Sequence, residues 1–374
     1  MKLEKLPTGI PGVDLIAEGG IPKGRTTLVA GSAGSAKTVF AAQFLAEGIR
    51  GGANGVFVTF EESARDIRAN AASLQWDIPG WEREAKWAFV DASPHPDQSI
   101  IAGNYDLGAL MARVEHAIAK VGAKRIAMDS IGAAFTQFPD ASVVRREMFR
   151  LSERLKDLGV TTVITAERTE GGTEISRFGV EEFVADNVIV LRNSLEEQRR
   201  RRTIEILKFR GATHQKGEFP FTVRPAEGMV VIPPSALELT EKSSDHRVTS
   251  GLPELDALCG GGFFQNSIVL VSGATGSGKT LIASQFMAGF THPDERSLLL
   301  AFEESRDQLF RNARAWGLDF ASLERQGRLK VICVYPEAQG LEDHLIAIKH
   351  AITDFNPNRI AVDSLTALER SCRV

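Results

Sequence analysis

Long apolar runs are missing from this 374-residue chain. None approaches the ~18 residues that a membrane-crossing helix needs, so no span is expected. Cysteine is scarce: Cys259, Cys333 and Cys372 are scattered, with no C-x-x-C spacing. That argues against a disulfide framework or a cysteine-based zinc site. Strong net charge is lacking too, and a formal −4 gives no global pull toward nucleic acid or an anionic membrane. The opening MKLEKLPTGIPG has no apolar core of a secretory signal, so a reducing cytoplasm is the expected compartment. One basic run stands out, Arg199–Arg202 after Glu196 and Glu197, and it reads as a solvated turn. What remains, 43% apolar and 25% charged, is an ordinary globular composition at a length that suits two domains.

A glycine is missing where a motif asks for one. "GSAGSAKT", residues 31–38, fits G-x-x-x-x-G-K-[ST] except that Ala36 precedes the lysine. A twin at 273–280, "GATGSGKT", fits in full. The flanks repeat as well: "LVAGSAGSAKTVFAAQFLA" from Leu28 matches "LVSGATGSGKTLIASQFMA" from Leu270, and "VFVTFEES" matches "LLLAFEES". Gly9 pairs with Gly251 and Asp14 with Asp256 at the same interval, and "RIAMDS" (125–130) pairs with "RIAVDS" (359–364). Such collinear agreement means one domain type used twice.

The paired prolines and polar stretch of 233–246 suit a linker between a first domain, 1–232, and a second, 247–374. In the first copy, "TTVITAE" (161–167) and "NVIVLRN" (187–193) read as buried strands after Asp129. The second copy has no such strands after Asp363, so its sheet is expected to be incomplete and to expose apolar edges. The sequence is accordingly expected to be a fragment, or to omit a segment.

Around each loop the chain reads strand, glycine-rich turn, amphipathic helix, the context that separates a phosphate loop from a chance match. Backbone N–H groups of Gly34, Ser35, Ala36 and Val39, and of Thr275, Gly276, Ser277, Gly278 and Leu281, are candidates to face phosphate oxygens. Lys37 and Lys279 would neutralise the outer phosphates, and the Thr38 and Thr280 hydroxyls would ligate Mg²⁺. If residue 36 needs positive φ, its methyl group costs ~1–2 kcal/mol; if not, almost nothing. Asp129 and Asp363 end apolar strands, where an acid can steady Mg²⁺. Glu61–Glu62 and Glu303–Glu304 follow another strand, where a carboxylate can orient or deprotonate water; helix-start acids are the plainer alternative.

These pieces together resemble the KaiC family of circadian clock ATPases, a duplicated branch of the RecA-like superfamily. The resemblance rests on the twin loops, both "FEES" strings, "FPDASVVRREMFRLSERLKDLG" (138–159) and "SRFGVEEFVADNVIVLRNSLEEQRRRRTIEILKFRGATHQKGEFPFTV" (176–223). It implies an α/β fold of tandem RecA-like domains, each a mostly parallel sheet flanked by helices, and a hexameric ring with ATP and Mg²⁺ between subunits. By the same resemblance Lys208, Phe209, Arg210 and His214 complete a neighbour's site, and Ser73 and Trp316 line the base; Lys208 and Arg210, two apart on a strand, would project from one face. Glu61 and Glu62 match the acids of a slow ATPase. Glu303 matches the base of a second-domain autokinase and autophosphatase, and joins Thr38, Asp129, Thr280 and Asp363 as a candidate metal ligand. The phosphoacceptors would fall after Val374. A KaiB-like partner would dock on the first domain, near "SIIAGNYDLGAL" (99–110).

Two other classes share this core. A DNA motor needs basic, mobile loops facing a ring centre, and "SIGAAFTQFPD" after Asp129 carries no basic cluster, so no nucleic acid is expected. A signalling scaffold would bind ATP for assembly and scarcely turn it over.

Overall fold

The computed structural model describes residues 3–93, 107–136, 138, 140–168, 184–196, 199–232 and 244–370. The chain divides into two compact units, Met1–Leu237 and Glu238–Val374.

In the first unit a short antiparallel pair, β1 (Lys5–Leu6) and β2 (Ile21–Pro22), precedes the main sheet. That sheet holds β3 (Thr26–Gly31), β4 (Gly55–Thr59), β5 (Trp87–Asp91), β6 (Arg125–Asp129), β7 (Thr161–Glu167), β8 (Asn187–Glu196), β9 (Arg199–Phe209), β10 (Glu218–Arg224) and β11 (Gly228–Val231). Its order is β11-β10-β9-β8-β3-β7-β6-β4-β5. From β5 to β8 every pairing is parallel, and β9 to β11 add an antiparallel extension. The inner parallel strands are buried on both faces, which explains their continuous apolar runs. Successive side chains alternate between two cores: Val29, Phe57, Ala127, Val163 and Ile189 join one, Leu28, Val58, Met128, Ile164 and Val190 the other.

The helix Lys37–Arg50 closes the first of these cores with Phe40 and Phe44, each fully buried. Burying an aromatic side chain of this kind contributes about 1.5–3 kcal/mol. Arg125, at the start of β6, ties that helix down. It donates from Nη1 to the carbonyls of Pro7 (2.9 Å) and Phe44 (2.8 Å), with its guanidinium 4.7 Å from the Phe44 ring centre.

The second unit repeats this plan over a smaller sheet. A pair β12 (Arg247–Val248) and β13 (Phe263–Phe264) precedes β14 (Ser297–Ala301), β15 (Leu329–Cys333) and β16 (Arg359–Asp363). The order β15-β14-β16, all parallel, reproduces β5-β4-β6. Arg359 repeats the Arg125 clamp on Thr249 and Phe286, at 2.8 and 3.2 Å. Among the described residues nothing corresponds to β7 or β8, and the stretch before the second loop, 268–272, forms no strand. Ile268 is 100% and Leu270 78% exposed, the apolar exposure expected of a strand without neighbours. No helix among the described residues is long and apolar enough to cross a membrane.

Candidate functional site

The first loop leaves the carboxyl end of β3 and enters the helix Lys37–Arg50. That end of an open parallel sheet is where α/β proteins bind ligands. Ala36 is the N-cap residue, at φ 67° and ψ 30°, and Gly278 holds the same place in the second loop at φ 92° and ψ 16°. Residue 36 therefore does need the left-handed conformation. A Cβ built on Gly278 meets nothing within 4 Å. The penalty of alanine is thus conformational, ~1–2 kcal/mol.

Lys37 folds back over its own loop, donating from Nζ to the carbonyls of Gly31 (2.8 Å) and Ser32 (3.0 Å). Lys279 makes the same pair with Gly273 (2.8 Å) and Ala274 (3.0 Å). Burial holds the Lys37 ammonium below the ordinary lysine range, against the pull of Asp129, Glu167 and Glu61. Val39 and Leu281 lie in the first turns of the two helices, both half-buried, and Thr275 and Ser277 are exposed.

Asp129 ends β6 almost fully buried. Its carboxyl is pushed up by that burial, while hydrogen bonds from Thr165 and Thr38 and the charge of Lys37 pull it down. The structure thus joins Thr38, Asp129 and Lys37 in one electrostatic group. The β4 and β6 tips are stitched by the Phe60 N–H to the Asp129 carbonyl (3.0 Å), and in the second unit by Phe302 to Asp363 (2.8 Å).

Glu61 and Glu62 follow β4, exposed at the rim. The next helix, Ala64–Ser73, is capped by Ser63, whose side chain accepts from the Asp66 N–H. The two glutamates precede that cap, so Asp66, not they, is the acid in the first turn. Partial burial, then Asp129 and Asp66, push the Glu62 carboxyl above the ordinary glutamate range. In the second unit Ser305 caps Arg306–Ala315 with a full capping box. There Ser364 Oγ donates to Glu303 (3.0 Å) and Asn312 Nδ2 to Glu304 (3.3 Å).

Other sequence candidates lie elsewhere. Lys208, next to last in β9, stands opposite Val188 at the amino end of the loop strand, and Phe209 closes β9 opposite Asn187. This is the end of the sheet away from the subunit's own loop. Arg210 is in the turn beyond β9 rather than on the strand, so the two cations do not share a strand face. Lys208 Nζ donates to the Ala185 carbonyl (2.8 Å), and Arg210 pairs with buried Asp186 (3.7 Å). His214 meets Phe209 edge-on at 5.7 Å. Ser73 donates to the Asn70 carbonyl inside its helix, and Trp316 caps Arg306–Ala315. Neither shows a hydrogen bond to a loop among the described residues. Most of 99–110 lies outside the described residues, and only 107–110 are seen, opening the helix Leu107–Val121. Of 176–223, residues 176–183 and 197–198 lie outside them too, as do 233–243 of the linker segment.

Arg199–Arg202 is a correction. These residues are not a turn but the start of β9, paired with Glu196 to Asn193. Arg202 Nε donates to the Gly34 carbonyl (3.1 Å), and Asn193 Nδ2 to that of Ala33 (3.3 Å). Sequence reasoning missed Asn193, Thr165, Asp186 and Arg125. Only Arg125 left a signal, the arginine shared by "RIAMDS" and "RIAVDS".

A parallel sheet with a lysine-bearing glycine loop at a central strand, and a buried aspartate two strands away, defines a nucleotide-binding α/β domain of the phosphate-loop class. The family model for the KaiC ATPase matches residues 6–236 and again 248–373, and the chain belongs to that family. It is 60% identical over 369 residues to circadian clock protein KaiC3 of Synechocystis sp. (strain ATCC 27184 / PCC 6803 / Kazusa), covering 98% of this chain and 73% of that one. It is 55% identical over 371 residues to the circadian clock oscillator protein KaiC of Prochlorococcus marinus (strain MIT 9313), covering 99% and 74%. Its identity to the protein of that name from Thermostichus vulcanus is 54% over 370 residues, covering 99% and 71%.

Family membership implies nucleotide binding, and the strain at residue 36 then has a measurable consequence. Ala36→Gly is expected to tighten binding at the first loop by up to about tenfold, and Gly278→Ala to loosen the second by about as much, since ~1.4 kcal/mol is tenfold. Titration of each variant with the other loop silenced checks both.

Proposed function

We propose that the first unit is a slow ATPase whose site is finished by a neighbouring copy in a hexameric ring, and that the chain serves a circadian or timing system. The observation that carries this is the joining of Lys37, Thr38 and Asp129 beside the Glu61–Glu62 rim, at the carboxyl ends of β3, β6 and β4.

The residues present suit Mg²⁺ and a triphosphate. Ser35 Oγ and Ser130 Oγ are buried without a hydrogen-bond partner. Among the described residues no trio of His, Cys, Asp or Glu could hold a metal alone. A hydroxyl, Thr38, and an acid, Asp129, would hold the ion together with water and phosphate oxygens, as hard oxygen donors do. When bound, the ion neutralises charge on the outer phosphates.

The chain's own residues do the rest. The loop N–H groups and Lys37 grip the phosphates. Glu62, its carboxyl raised above the ordinary glutamate range by partial burial and then by Asp129 and Asp66, orients and deprotonates the attacking water. Lys208 and Arg210, at the far end of the sheet, cannot serve their own loop. Their place supports delivery to the next subunit, where a cation stabilises charge on the transferred phosphate.

In the second unit Lys279, Thr280, Asp363 and Glu303 repeat the set for a proposed autokinase and autophosphatase activity. A KaiB-like protein is the proposed partner of the first unit, and the cytoplasm its proposed compartment.

The test is phosphate release by the purified chain, with mass photometry in the presence of ATP. Arg210→Ala is expected to leave ATP bound and cut turnover. Mixing it with Lys37→Ala chains is expected to restore activity at mixed seams. No phosphate release under any assembly state would overturn the proposal.

A further inference from the structure

The β8–β9 hairpin overhangs the first phosphate loop. Leu191 of β8 pairs with Gly31, the last residue of β3, so residues beyond 191 extend past the end of the loop strand. Asn193 and Arg202 then stand directly opposite each other in the ladder between β8 and β9. Both reach the loop backbone. Asn193, 8% exposed, donates to the Ala33 carbonyl at 3.3 Å, and Arg202 to the Gly34 carbonyl at 3.1 Å. The contact is close, for a Cβ on Gly34 would lie 3.1 Å from Asn193 Nδ2.

These two bonds add to the ties on the other loop carbonyls. Lys37 takes Gly31 and Ser32, Asn193 takes Ala33, Arg202 takes Gly34, and the helix takes Ala36 through the Phe40 N–H. A trans peptide places its N–H opposite its carbonyl. Pinning the Ala33 carbonyl toward the hairpin therefore turns the Gly34 N–H to the other side of the loop, while the Ser35 N–H closes the turn on the Ser32 carbonyl (3.2 Å). In the second loop Lys279 takes Gly273 and Ala274 in the same way. That loop has glycine at the left-handed position, and the first has alanine.

We propose that Asn193 and Arg202 are positioning residues that hold the first loop in its phosphate-receptive shape and so offset the strain at Ala36. This rests on the first loop binding ATP, the reading given above. The full chain is used with Lys279→Ala to silence the second loop, and Mg²⁺-ATP is titrated calorimetrically into four forms: parent, Arg202→Ala, Ala36→Gly and the pair. Arg202→Ala is expected to weaken binding at least about fivefold in the parent and less than about twofold in the Ala36→Gly background, a coupling that a double-mutant cycle isolates. Asn193→Ala is expected to follow the same pattern.

A brace that only stabilised the fold would lower the melting temperature of both backgrounds without that coupling. Equal losses with alanine and with glycine at position 36, or no loss, would overturn the proposal while leaving the ATP site standing. No binding by the parent or by the Ala36→Gly form would overturn both.

Discussion

Lys37→Ala is expected to reduce ATP affinity at the first loop by at least about a hundredfold. A hydrogen bond to a charged group contributes ~1.5–3 kcal/mol, and the ammonium can give two or three of them to phosphate oxygens. Lys37 Nζ donates to the Gly31 and Ser32 carbonyls, at 2.8 and 3.0 Å, which holds it over the loop. Little ordering entropy then remains to be lost on binding. Lys37→Arg is not expected to rescue, because a planar five-donor fork does not fit a seat shaped for a point charge. Lys279→Ala should silence the second loop in the same way, and the double variant is the blank. A first-loop affinity within about threefold of the parent in the Lys37→Ala, Lys279→Ala pair would sink the assignment.

Glu62→Gln is expected to keep ATP bound while phosphate release falls by about 10²–10⁴-fold, the usual contribution of a positioned general base. Glu61→Gln should fall less, since Glu61 is among the acids that act on Lys37. The pH profile gives an independent check. A general base works as its carboxylate, so the rate is lost as pH falls through its pKa. Partial burial, then Asp129 and Asp66, raise that pKa, so the acid limb should lie above the ordinary glutamate range. Asp66→Asn removes one raising charge and should move the limb to lower pH while the enzyme stays active. Steady-state phosphate release across pH reads both effects. A limb that ignores Asp66→Asn would remove Glu62 from the role.

Most of what local pattern can carry was legible in the sequence. The loops announce themselves by spacing, and β6, β7 and β8 by apolar runs buried on both faces, while the like run of β16 leaves Ile360 and Val362 exposed. Long-range partnership was not legible. Whether Ala36 costs anything depended on φ, which no residue type reveals, and the value of 67° decided it. The stretch 268–272 has the composition of β3 yet forms no strand, because a strand needs ladder partners as well as propensity. Arg199–Arg202 looked like a solvated turn because charge runs usually are one. Its place in β9 follows from pairing with β8, a register set by alternation across the hairpin. Asn193 and Asp186 carry no motif at all, and their partners are far off in the chain.

The strand that carries the first loop sits between β7 and β8, and its closest ties run to residues synthesised long after it. Thr27 meets Asn187 across 160 positions, and Thr26 meets Ser152 across 126. A nascent chain leaving the ribosome therefore displays the loop sequence well before the strands that flank it exist. Pairings this far apart in sequence carry a large loop-closure cost and are slow to form, so the cradle around the loop depends on late-synthesised strands.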